Sequence, residues 1–175
     1  MSQPLFDAAV AAYEAGHYAE CERLCHSALR LRPDDEDLLV LLAMALQASG
    51  QIDAAAEVFR TLTGLRPEVA EYWSNLGLMS RHLGNLDAAE GMFQHALGLP
   101  HPPHDTLVNY GLLLLDMGRI ADARHRFLDA VDVDPDSAEA RVYAALACLE
   151  CGDTRRAEAL IPPPQGWPSP LRPPG

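Results

Sequence analysis

Four cysteines and seven histidines are the residues of this chain with the widest chemical range. Cys148 and Cys151 form a CxxC pair, half of a four-thiolate zinc site, but no second CxxC completes it and Cys148 falls in an apolar register. Cys21 and Cys25 lie one helical turn apart, where a free thiol behaves as a small hydrophobe. His101, His104 and Asp105 place two imidazoles and a carboxylate on a prolyl turn, with no acid or thiolate pairing repeated elsewhere, which is a poor donor set for a transition metal. The run Asp34, Asp35, Glu36 and Asp37 suits the positive end of a helix dipole, so capping and solubility account for it better than a cation site. A Gly-rich phosphate loop, a nucleophile elbow and a paired His-Glu helix motif are all missing from the sequence. The expectation is a chain without catalysis, metal or cofactor.

The elements that would carry these residues repeat. Gly16, Gly50, Gly84, Gly118 and Gly152 stand 34 residues apart, five glycines in one register. Cys21, Ala55, Ala89, Ala123 and Ala157 form a second column, and Cys25, Phe59, Phe93 and Phe127 a third, while Pro33, Pro67 and Pro135 close their units. In the stretch from Ala70 to Leu99, Trp73, Leu76 and Gly77 precede Gly84, and Ala89, Phe93 and Ala96 follow it at helical spacing, so two amphipathic helices meet at Gly84. The repeats run over about 2–35, 36–69, 70–103, 104–137 and 138–161, the last truncated by Pro162, Pro163 and Pro164. Segment 162–175 reads as a Pro-rich tail or linker, with Trp167 and Leu171 as its large apolar residues. The third repeat ends on Pro100, His101, Pro102, Pro103 and His104, an extended and stiff junction that keeps the 34-residue register.

This pattern resembles the tetratricopeptide repeat family, and the resemblance covers nearly the whole chain. It implies an all-α solenoid, a right-handed superhelix of antiparallel helix pairs, with four full repeats and one truncated one. It also implies a role in protein or peptide binding, in a concave groove lined by the first helix of each repeat.

Composition agrees. The chain has 175 residues, 49% of them apolar, enough to bury a core between neighbouring repeats of one elongated domain. A net charge of −12, with every one of the 13 basic residues an arginine, disfavours nucleic acid and anionic membranes. The first twenty residues lack a basic region and carry acids early, and the longest apolar run, Leu38 to Leu46, is too short to span a bilayer, so a cytoplasmic protein without membrane insertion is expected.

Similarity to the family places positions 2, 5, 6, 9, 12 and 13 of each repeat on the groove. Those positions hold Phe6, Asp7, Val10 and Tyr13 in the first repeat, and Val40, Leu41, Met44 and Gln47 in the second. The third offers Ser74, Asn75, Leu78, Arg81 and His82, the fourth Val108, Asn109, Leu112 and Leu115, and the fifth Val142, Tyr143, Leu146 and Leu149. The expected site is Val40, Met44, Asn75, Leu78, Arg81, His82, Asn109, Leu112 and Tyr143. Asn75 and Asn109 resemble a two-rung version of the asparagine ladder of O-GlcNAc transferases, each amide offering a donor and an acceptor to a peptide backbone. The groove positions carry Asp7, Glu14, Asp37, Glu71, Asp105, Asp116, Glu139 and Glu150 against Arg81, so the partner expected is a basic or amphipathic peptide. A carboxylate clamp for acidic C-termini is excluded, because Phe6, Val10, Leu41, Glu71 and Asn75 occupy its cationic positions. Two other readings stay open: a scaffold that assembles with itself through groove or end contacts, and the substrate-docking region of a larger transferase.

Overall fold

The computed structural model describes residues 3–161; the tail or linker expected over 162–175, with Trp167 and Leu171, lies outside the described residues. The fold is all-α. Among the described residues ten helices follow one another as consecutive antiparallel pairs: α1 (Gln3–Glu14) with α2 (Tyr18–Leu29), α3 (Glu36–Ala48) with α4 (Ile52–Leu65), α5 (Ala70–His82) with α6 (Leu86–Gly98), α7 (His104–Asp116) with α8 (Ile120–Val133), and α9 (Ala138–Glu150) with α10 (Thr154–Leu160). The starts of α3, α5, α7 and α9 fall 34 residues apart, as do those of the five second helices, so the prolyl junction does preserve the register. Within that junction His101 takes a left-handed φ of 53°, which is uncommon for a residue with a side chain.

Each pair turns on the same motif. Gly16, Gly50, Gly84, Gly118 and Gly152 hold φ between 73° and 78°, the left-handed conformation that glycine adopts without steric cost. In the first turn the Gly16 N–H donates to the Tyr13 carbonyl and the His17 N–H reaches back to the Ala12 carbonyl, the paired closure of a Schellman cap. Gln51, Asn85, Arg119 and Asp153 repeat the His17 bond to Leu46, Ser80, Leu114 and Cys148. Each of these five residues is also the N-cap of the second helix. One residue therefore closes one helix and opens the next. Because the left-handed conformation costs a side-chain-bearing residue about 1–2 kcal/mol, Gly84→Ala is expected to lower stability by that amount, measured by urea denaturation; an unchanged midpoint would contradict the cap.

By packing, the chain divides into two compact units, Met1–Thr106 and Leu107–Gly175. In the first, α1 and α2 contribute small buried residues, Ala9, Ala12, Cys21, Cys25 and Ala28, and α3 supplies the bulk with Leu38, Leu39, Leu41, Leu42 and Leu46. Glu36 ties this layer to the next, accepting hydrogen bonds from the Tyr72 hydroxyl and from Arg66, whose Nε also donates to Glu68. Thr106, the last residue of this unit, donates to the Ser74 hydroxyl at 2.9 Å, so two buried polar side chains satisfy each other.

The second unit is built around Phe127, which is fully buried, lies against Gly111 and stacks on Tyr143 with ring centroids 5.3 Å apart. Phe93 repeats the arrangement over Gly77 in the first unit. A Cβ added to Gly77 would meet the Phe93 ring at 3.0 Å, whereas one added to Gly111 would meet the Phe127 ring at 2.4 Å. Removing a helix-interior glycine gains roughly 1 kcal/mol of propensity and overpacking costs about 1–3 kcal/mol. Gly77→Ala is thus expected to leave stability within about 1 kcal/mol of the native chain, and Gly111→Ala to lower it measurably. Equal thermal midpoints for the two variants would contradict the tighter packing at Gly111.

Candidate functional site

In the first unit the exposed faces of the first helices carry the residues expected on the groove. Met44 is 41% exposed, Val40, Asn75, Leu78 and Arg81 are half-buried, and His82 is exposed. Tyr13, Met44, Gln47 and Ala48 together line a concavity of about 220 Å³, formed by the C-terminal parts of α1 and α3. Tyr13 is held there by Tyr18, with ring centroids 5.6 Å apart. The Asn75 carboxamide has no hydrogen-bond partner among the described residues, and neither has that of Gln47.

Three residues offered by the register are not available. Leu41, Ser74 and Val108 are all buried, Leu41 in the core cluster and Ser74 through its bond to Thr106. They lie on the expected helices, but their side chains are buried and offer no surface to a partner.

In the second unit Asn109 and Leu112 are half-buried, and the Asn109 amide likewise has no partner among the described residues. Tyr143 is half-buried with its ring on Phe127, so much of its surface is spent on packing. Val142, Leu146 and Leu149, spaced along one face of α9, are 43%, 53% and 50% exposed, whereas Val108, at the repeat position of Val142, is 4% exposed. A shallow concavity of about 400 Å³ runs along Gly118, Arg119, Ile120, Ala121 and Asp122 to Glu150 and Cys151. Its only cation, Arg119, is occupied by Asp122 at 2.8 Å.

The cysteines and histidines have local roles. The sulfurs of Cys21 and Cys25 lie 4.0 Å apart in the core, and burial pushes the Cys25 thiol up to about 12. Burial also raises the Cys21 and Cys148 thiols, while Cys151 is exposed. Among the described residues no three His, Cys, Asp or Glu side chains come close enough to hold a metal ion, and His104 instead pairs with Asp105 at 3.3 Å. A thiol reagent at neutral pH is expected to modify Cys151 alone in the folded chain, and all four cysteines in denaturant. Since the unfolded thiols ionise near pH 9 and Cys25 resists until about 12, the stability their burial provides is complete below pH 9 and is lost as pH rises through that window. Cys25→Ala should flatten this alkaline loss in denaturation curves; an identical pH profile would argue against a buried thiol.

An array of helix pairs that exposes the faces of its first helices is the architecture of a repeat domain for protein–protein interaction. The chain belongs to the tetratricopeptide repeat family, which it matches over residues 12–78, 70–100 and 110–161. Solved structures share the fold. A MamA protein superimposes with a TM-score of 0.80 at 20% identity, covering 91% of this chain and 87% of that one. YrrB, described as a TPR protein with an unusual peptide-binding site, gives 0.70 at 16% identity, with coverages of 91% and 82%. A thermophilic TPR protein of Thermus thermophilus, TTC0263, gives 0.69 at 22% identity, with coverages of 91% and 88%. No curated protein sequence is a significant match. Among the described residues no helix is long and apolar enough to cross a membrane.

Proposed function

We propose that the chain is a binding module without catalysis of its own, and that its first unit takes a peptide or helical segment of a partner protein on the exposed faces of α1, α3 and α5. The observation that carries this is the concavity at Tyr13, Met44, Gln47 and Ala48, four residues at positions that similarity to the family assigns to the groove. Asn75 supports it, because a half-buried amide that bonds no neighbouring helix is available to a peptide backbone. Asn109, likewise half-buried and without a hydrogen-bond partner among the described residues, is assigned the same role. The likeness to YrrB, whose description names a peptide-binding site, points the same way.

The test is a partner isolated from the native cell and titrated against the purified chain. Met44→Ala combined with Asn75→Ala removes one apolar contact and one hydrogen-bonding group, and is expected to weaken binding by about 1–3 kcal/mol with the helical circular dichroism unchanged. Unchanged affinity in a folded double variant moves the site away from this face.

One observation favours a second reading, self-assembly. The Val142, Leu146 and Leu149 stripe of α9 is an apolar face of the kind that a further helix covers. Leu146→Glu is then expected to lower the molar mass measured in solution, and a native chain already monomeric at high concentration would dismiss this reading.

A further inference from the structure

The Tyr13 concavity has a chemical character that selects what enters it. Its volume, about 220 Å³, is below the range of roughly 300–1,000 Å³ typical of small-molecule sites and suits one long side chain. Tyr13 is the penultimate residue of α1, and Gln47 and Ala48 are the last two of α3, so the cavity sits at the C-terminal ends of two helices. Those ends carry the negative pole of the helix dipole. Neither helix has a basic residue in its last turn.

Charge is added where the helix itself disfavours it. Glu14, the last residue of α1, is exposed, takes part in no ion pair among the described residues, and lies at the end where a carboxylate costs helix stability. The first-turn acids Asp37 and Glu71, on the neighbouring first helices, are also exposed and unpaired among the described residues, although their dipole effect is favourable. By contrast Arg23, Arg32 and Arg60 are held by acids of the second helices and connecting turns, and Arg66 by Glu68 of a connecting turn and by Glu36 at the start of α3. The first unit contains fifteen acidic side chains and six arginines, so most of the chain's negative charge belongs to it.

We propose that this concavity is a socket for a single basic side chain, an arginine or lysine, of the partner segment. This rests on the groove reading above and deepens it. The aliphatic stem lies against Met44, the cation faces the Tyr13 ring, and the Gln47 carbonyl oxygen accepts one of its N–H bonds. The two helix ends and Glu14 supply the field that a neutral isostere does not feel. An acidic partner residue is rejected at the same place.

The probe is N-acetyl-arginine amide, set against its neutral isostere N-acetyl-citrulline amide, titrated into the full chain carrying ¹³C-methyl methionine. The Met44 methyl signal is expected to move with arginine at roughly tenfold lower concentration than with citrulline. Glu14→Gln, a surface change that leaves packing intact, should weaken the arginine response about threefold, an effect that high salt removes. Tyr13→Leu, which keeps an apolar side chain against Tyr18, should weaken it by a similar factor. Equal responses to arginine and citrulline, a Met44 signal that neither probe moves, or a Tyr13→Leu variant that responds like the native chain each overturn the proposal. A natural partner that still depends on Met44 and Asn75 while arginine leaves Met44 unmoved keeps the groove reading and removes only the socket.

Discussion

Replacing Phe127 with alanine is expected to lower the unfolding free energy by about 3–5 kcal/mol, and Phe93→Ala to do the same. Both rings are fully buried, and each lies over a glycine, Gly111 or Gly77, on the partner helix. A glycine has no side chain with which to fill the void, and the helix backbone cannot close it without breaking its own hydrogen bonds. Phe127→Ala also removes the stacked partner of Tyr143, an aromatic pair worth about 0.5–1.5 kcal/mol beyond burial. Denaturant unfolding of each variant measures the loss. A change below about 1 kcal/mol at both positions, the ordinary range of surface substitutions, would contradict the register on which the repeat assignment stands.

The second large loss is expected at Leu38. The first repeat has Cys25 where three later repeats have phenylalanine, and its other core positions hold Ala9, Ala12, Cys21 and Ala28. Volume that an aromatic ring supplies elsewhere must therefore come from α3, whose buried leucines begin with the fully covered Leu38. Its backbone N–H is fixed by the Asp35 side chain at 3.2 Å, so the residue cannot shift to relieve a cavity. Leu38→Ala should cost about 2–5 kcal/mol. Leu31→Ala serves as the control: that side chain is exposed, and its loss should fall within about 0.5 kcal/mol. Comparable midpoints for the two variants would mean that the leucines of α3 do not form this core.

Much of the fold was legible because one spacing controls it. The glycine, alanine and phenylalanine columns located the helix pairs and their turns, since the left-handed turn and the buried crossing each demand a particular side-chain size. The truncated last helix was legible from the prolines that follow it, α10 ending at Leu160. The exposed faces of the first helices were read less completely. Register tells which side of a helix a residue occupies, but the burial of Leu41, Ser74 and Val108 is set by tertiary packing that register does not contain. The bond between Thr106 and Ser74, and that between Tyr72 and Glu36, join residues 32 and 36 positions apart with no local signal in either segment. The concavity beside Tyr13 was hidden for the same reason: its four residues were named or implied by the register, but not as neighbours.

The turn residue that both closes one helix and caps the next leaves the chain no slack inside a pair. A single residue inserted at His17, Gln51, Asn85, Arg119 or Asp153 would separate the N–H that closes the first helix from the residue that opens the second, and so is expected to break the turn. Changes of length are expected to be tolerated better in connections between pairs, such as Pro100 to Pro103, or as whole repeats of 34 residues. The molecule is in this sense quantised: descendants of this sequence that differ in length should differ by complete helix pairs, with the remaining variation gathered in the connections that join them.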